Sequence, residues 1–185
     1  MWTEGLEQQA FFKDRIDCLR TWWREEGGLA RAMGKTAEFD CTSANEVLRG
    51  KLFIGCEIAS SKIVQTHPQI KAVVSLHSQG YSKCGYRRFD GIDYHHVTIE
   101  DDANADLFAH LDECSDFIHK HNGPVFVHCQ AGVSRSASIC MAYLIKYCCM
   151  TVDQAFAVVY CARPIIWPNN GFVRQLKHFE HKQKE

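Results

Sequence analysis

The chain has 185 residues, 46% hydrophobic and 23% charged, with 21 Lys plus Arg against 22 Asp plus Glu and a formal net charge of −1. That length supports one domain with a substantial core. Near-neutral charge excludes bulk attraction to nucleic acid or an anionic membrane, so any affinity for anions must be local.

In chain order, residues 3–26 are expected to form an amphipathic helix, with Phe12, Ile16, Leu19 and Trp23 on one face and Gly27-Gly28 as the stop. Residues 29–44 read as irregular, and a second unit is expected from Asn45 to the end, behind an N-terminal helical extension over 1–44. Leu52–Gly55 is a predicted strand, Ile58–His67 a helix halted before Pro68, and Ala72–Leu76 a buried strand. The Gly-, Tyr- and Arg-rich stretch 78–92 reads as a surface loop, followed by a strand over Tyr94–Ile99. A helix over Asp106–His121 carries Leu107, Leu111, Cys114 and Ile118 along one side and ends at Gly123-Pro124. The strand 125–128 is followed by an almost wholly apolar helix, Ser136–Tyr147, expected to be buried. Thr151-Val152-Asp153-Gln154 has capping-box spacing for a helix through Ala162. A last helix follows Pro168-Asn169. Strands interleaved with helices predict an α/β sandwich with a central, mostly parallel sheet.

Ten cysteines stand at irregular positions. The chain is too long for a small disulfide scaffold. No zinc-type spacing of Cys and His occurs, so no metal and no cofactor is expected. No apolar run approaches the roughly 20 residues of a membrane span, and the start Met1-Trp2-Thr3-Glu4-Gly5 lacks the regions of a secretory signal. The expectation is a protein without membrane or nucleic-acid partners, in the reducing cytoplasm and with the nucleus as a second location.

The most informative segment is Val125-Phe126-Val127-His128-Cys129-Gln130-Ala131-Gly132-Val133-Ser134-Arg135-Ser136. A β-branched run ends at His-Cys, a loop of small residues follows, and a helix opens at Arg-Ser. Strand, loop and helix start make a cradle for a dianion, with backbone N–H groups pointing inward at the positive end of a helix. The cradle is the backbone of Gln130, Ala131, Gly132, Val133, Ser134 and Arg135, and the Arg135 guanidinium can add two parallel charge-assisted hydrogen bonds. Gly132 supplies a turn that side chains would obstruct. Cys129 lies at the base, where a positive field favours the nucleophilic thiolate. Ser136 can donate a hydrogen bond to the departing sulfur when a phosphocysteine is hydrolysed. His128 is expected to order the loop from behind rather than transfer protons.

Such chemistry needs an acid to protonate the leaving oxygen. The acidic stretch Glu100-Asp101-Asp102-Ala103-Asn104-Ala105-Asp106 lies between a strand and a helix and can reach a neighbouring strand's loop. Spacing alone does not rank its four carboxylates, although Asp106 suits a helix cap.

The segment His128–Ser136 resembles the signature of the dual-specificity phosphatases, within the cysteine-dependent protein tyrosine phosphatase superfamily. It is closest in wording to those that act on mitogen-activated kinases. Ala142-Tyr143-Leu144-Ile145, Arg163-Pro164 with Pro168-Asn169-Asn170-Gly171-Phe172, and Asn45–Leu48 through Leu52–Gly55 resemble further family motifs, so the likeness covers about residues 45–180. The resemblance implies a protein tyrosine phosphatase-like α/β sandwich and a signalling enzyme that removes phosphate from phosphotyrosine and phosphoserine or phosphothreonine. The substrate would be a phosphoprotein, with a mitogen-activated protein kinase as one candidate. It implies Asp101 as the general acid, with Asp102 behind it, and a supporting role for Asn169. Arg163 falls near a position that can help hold substrate phosphate; the other reading is a surface arginine capping a helix end. Ile165-Ile166-Trp167 is expected at the pocket rim or beneath the last helix. A small, stand-alone member is expected, because only about 44 residues precede the matching part. The same chemistry on a phosphoinositide, an RNA 5′-phosphate or a phosphoglycan is the alternative, though the loop carries no extra Lys or Arg for such headgroups. Cys140, Cys114 and Cys84 are candidates, by count alone, for trapping an oxidised Cys129.

Overall fold

The computed structural model describes residues 40–80 and 88–185. The expected N-terminal helix over 3–26, Trp2, Trp22, Trp23 and Cys84 lie outside the described residues.

A five-stranded sheet forms the frame: β1 (Asn45–Leu48), β2 (Leu52–Cys56), β3 (Ala72–His77), β4 (Asp93–Thr98) and β5 (Val125–Cys129). Its order is β1-β2-β5-β3-β4. β1 runs antiparallel to β2; all other pairings are parallel. The three inner strands are buried throughout and mostly apolar, with Ser75, His77 and His128 as the polar exceptions, as sheets covered on both faces require. Val127 is in register with Ile54 on one side and Val74 on the other, so β5 is the centre of the sheet and its carboxyl end is flanked by two strand ends.

The helices are α1 (Glu57–Ser61), α2 (Ile63–Thr66), α3 (Phe108–Lys120), α4 (Arg135–Cys148), α5 (Val152–Ala162) and α6 (Asn170–Lys182). α4 packs on β2, β3 and β5 and touches α3, α5 and α6. It is accordingly buried from Arg135 to Ile145, which explains its nearly unbroken apolar sequence. A smaller core of Phe53, Ala59, Ile63, Ile70, Val73 and Phe126 includes residues of α1 and α2.

The single helix expected over Ile58–His67 is two short ones broken at Lys62, whose φ and ψ are −126° and 12°. Ser61 Oγ donates to the Ile58 carbonyl at 2.8 Å and Lys62 N–H turns back to Ala59 O at 3.2 Å. Local side-chain competition and a tightened turn end the first piece. The helix expected from Asp106 starts at Phe108; Asp106 Oδ1 accepts the N–H of Ala109 at 3.2 Å from one turn before. The capping box on α5 is complete, with Thr151 and Gln154 exchanging both bonds. Asn169 caps α6 by accepting the N–H of Phe172 at 2.9 Å.

Candidate active site

β5 ends at Cys129 and α4 begins at Arg135, so 130–134 turn from strand to helix within five residues. Gly132 makes the turn at φ 69°. A Cβ there would also stand 2.6 Å from the Gly55 carbonyl oxygen and 2.8 Å from Arg163 Nη2. Each loop carbonyl accepts from outside the loop. Glu57 N–H donates to Gln130 O (3.2 Å) and Trp167 N–H to Val133 O (2.9 Å). Arg163 donates from Nη2 to Ala131 O (3.3 Å) and from Nε to Gly132 O (2.8 Å). In a trans peptide the following N–H points the other way, so the N–H groups of Ala131, Gly132, Val133 and Ser134 turn toward the concave side. Gly132 N–H lies 3.2 Å from Cys129 Sγ. α4 has no side-chain cap, which leaves its first N–H groups and positive end open to an anion.

Arg163 corrects the surface reading: it is fully buried. Besides the two loop carbonyls it donates to Asn45 Oδ1 (2.7 Å), Cys41 O (2.9 Å) and Ser43 O (3.3 Å). Burial lowers its pKa below the usual guanidinium value, opposed by the neighbouring thiols of Cys56, Cys129 and Cys41. It ties the back of the loop to the chain that precedes β1.

Cys129 is 1% exposed. Its Sγ is 3.3 Å from Ser136 Oγ. Arg135 is anchored through Nη1 to Ser78 Oγ and Ile99 O, both at 3.1 Å. Its buried Nε makes no hydrogen bond among the described residues and lies 3.9 Å from Asp101 Oδ2. A pinned guanidinium with a free donor suits an incoming oxyanion. Ser78 is held in turn by Glu100. The Glu100 carboxyl lies below the usual carboxylate range, chiefly through the Ser78 hydrogen bond, then the Gln79 N–H (2.8 Å), with the Arg135 charge adding.

The four acids part company here. Glu100 turns to Ser78 and Gln79. Asp102 Oδ1 closes a turn on Asn104 N–H at 2.8 Å, and Asp106 faces Ala109. Asp101 alone reaches the cysteine loop. Its Oδ1 accepts Ser134 Oγ at 2.6 Å and Asn169 Nδ2 at 2.9 Å, and Ser134 Oγ itself accepts the Asn169 N–H at 3.1 Å. Ser134 thus contributes a backbone N–H to the cradle and a hydroxyl to the acid. α6 clamps the rest of the acidic loop. Gln175 accepts from Phe108 N–H (2.7 Å) and donates to Ala105 O (2.8 Å). Gly171 packs so tightly that a Cβ would fall 1.9 Å from Ala103 O.

His128 is buried, with Nε2 3.2 Å from Ser60 Oγ and its ring stacked on Phe126 at 5.4 Å. Burial pushes its pKa down to about 3, so the neutral ring is a fixed part of the floor. Gly171 and Gln175 belong to the C-terminal stretch that resembles a family motif, but sequence reasoning assigned neither a role; Ser78 carries no motif signal and was missed. Cys56 stands in register with Cys129 on the neighbouring strand; Cys140 and Cys114 are buried in helices, their thiol pKa values pushed up by burial. Among the described residues no group of three His, Cys, Asp or Glu is placed to hold a metal ion, and no helix is long and apolar enough to cross a membrane.

The family profile described as dual specificity phosphatase, catalytic domain, matches residues 52–182. Human dual specificity protein phosphatase 21 is 35% identical over 143 residues, covering 76% of this chain and 73% of that protein. Human dual specificity protein phosphatase 1 is 46% identical over 90 residues, 47% of this chain and 24% of the relative. Among solved structures, human DUSP28 superposes with a TM-score of 0.69 at 27% identity, covering 77% of this chain and 95% of that one. A human tyrosine phosphatase-like serine/threonine/tyrosine-interacting protein reaches 0.71 at 28% identity, covering 78% and 99%. Sequence match and superposition agree, and the chain belongs to the dual specificity phosphatases, a family of cysteine-dependent protein phosphatases.

Proposed function

We propose that this site hydrolyses phosphotyrosine and phosphoserine or phosphothreonine monoesters on proteins through a phosphocysteine on Cys129. The phosphate dianion binds to the inward N–H groups of the 130–135 loop and to Arg135. The Cys129 thiolate forms the S–P bond as the P–O ester bond breaks, and Asp101 gives its proton to the departing oxygen. Water then attacks phosphorus and loses its proton to the Asp101 carboxylate. The S–P bond breaks, and Ser136 Oγ donates a hydrogen bond to the released thiolate.

The observation that carries this reading is the placement of Asp101. Ser134 and Asn169 hold one oxygen, and the other lies 3.9 Å from Arg135 Nε. Acid and guanidinium therefore meet at the loop that carries Cys129. The loop positions Gln130, Ala131, Val133 and Ser134 bring no cationic side chain, which favours protein monoesters over headgroups bearing several phosphates. Phosphorylated mitogen-activated kinases are the first proteins to try, on the sequence resemblance.

The test is hydrolysis of para-nitrophenyl phosphate and phosphopeptides by wild type, Cys129→Ser and Asp101→Ala across pH. Cys129→Ser should be inactive. Asp101→Ala should lose about 10²–10⁴-fold in rate together with the basic limb of the profile. An unchanged profile in Asp101→Ala rules Asp101 out as the acid.

A further inference from the structure

Among the described residues two large apolar side chains are strongly exposed, Ile58 at 55% and Trp167 at 61%. Single exposed hydrophobics are ordinary on any surface. These two share an address. Trp167 donates its backbone N–H to the carbonyl of Val133 at 2.9 Å. Glu57, immediately before Ile58, donates its own to the carbonyl of Gln130 at 3.2 Å. Gln130 and Val133 are the first and fourth residues after Cys129, so the two side chains stand on segments bonded to opposite ends of the phosphate loop. No step of the chemistry uses either one.

The platform under Trp167 is rigid. Ile166 before it is 1% exposed, and Asn169 after it is fixed by α6 and Asp101. A large ring on a fixed backbone gives contact area at low entropic cost. On the acidic loop beside the site Glu100, Asp101 and Asp102 are all exposed. An anionic partner surface, peptide or lipid, is therefore disfavoured along that loop.

We propose that Ile58 and Trp167 are apolar lips that bind the residues flanking the phosphoamino acid, so that the enzyme selects phosphopeptides with apolar or aromatic neighbours on both sides of the phosphate. This rests on the protein phosphatase reading above and specifies its substrate class.

The experiment uses the full chain and phosphotyrosine peptides alike except for Leu, Ala or Glu on either side of the phosphoresidue. The readout is the ratio of kcat/KM values within each enzyme, which a generally damaged loop would not change. Wild type should favour Leu-flanked over Ala-flanked peptides by about tenfold, mostly through KM, and should disfavour Glu. Trp167→Ala and Ile58→Ala should each shrink that ratio about threefold or more, and Trp167→Phe should retain most of it. Equal ratios across flanks in wild type, or ratios untouched by either Ala variant, overturn the inference and leave the phosphatase reading intact. Failure on every phosphopeptide, with turnover of a phosphoinositide in phosphatidylcholine vesicles that depends on Trp167, overturns both and makes the lips a lipid contact.

Discussion

Two loops meet at the mouth of this site, and they are built in opposite ways. The cysteine loop is short, joins consecutive elements, and takes its shape from its own glycine and from braces behind it. The acidic loop has little internal structure beyond the Asp102 turn. It is held by residues far along the chain: Ser134, Asn169, Gly171 and Gln175. The comparison teaches that anion binding and proton supply are separable here. One resides in a tight backbone turn braced at its carbonyls, the other in clamping by distant side chains.

Arg163→Met breaks the comparison from the cysteine side. It strips donors from the Gly132 and Ala131 carbonyls and leaves acceptors buried. The expected loss is about 1–3 kcal/mol for each buried acceptor left without a donor, read by urea unfolding. Iodoacetamide labelling of Cys129 near pH 6 should slow in the same variant. Wild-type stability in Arg163→Met removes the brace from the account.

Gly171→Ala attacks the acidic loop alone. Its methyl must displace Ala103, and Asp101 with it. Turnover should fall about 10²-fold and the basic limb should flatten, while Cys129 alkylation keeps its wild-type pH dependence. If alkylation falls in step with turnover, the two loops are not separable.

Ser134→Ala and Asn169→Ala each remove one hydrogen bond from Asp101 Oδ1. About tenfold in kcat is expected for each, from one bond to a charged group. The double variant should lose more than either alone but less than Asp101→Ala. Asn169→Ala also loses the cap of α6, costing about 1 kcal/mol of stability, which separates the two by thermal unfolding.

The smallest effect is in pH. His128 beneath the cysteine loop has its pKa pushed from 6.5 to about 3 by burial. His77 on the adjoining β3 and His96 on β4 are lowered too, first by burial. The unfolded chain binds these protons more tightly than the fold. Stability therefore rises with pH through this window and is lost as pH falls from 6.5 toward 3. His128 alone should cost about 1 kcal/mol between pH 7 and pH 5.5, seen as a falling urea midpoint. A flat midpoint would show that His128 is charged, or solvated, in the fold.

Much of this was legible in advance because its signals are local. The run Val125–Cys129 reads as a central strand, Gly132 as a forced turn, and Thr151 with Gln154 as a helix start, each from neighbours a few residues apart. The break at Lys62 was not legible, since it turns on a hydroxyl outcompeting one helical bond. Arg163 misled because its surroundings come from four separate segments: the start of the described chain, β1, the cysteine loop and the end of α5.

What the sequence by itself determined is the family, the alternation of strands and helices, and the loop that carries Cys129 and Arg135, because backbone preference and side-chain period act over a few residues. Which acid faces the cysteine loop, why Arg163 is buried, and where Trp167 emerges were decided only by tertiary contacts: Ser134 and Asn169 on Asp101, residues 41–45 and the loop carbonyls on Arg163, and the Val133 carbonyl on Trp167. Those contacts join residues dozens of positions apart, and no local periodicity encodes them.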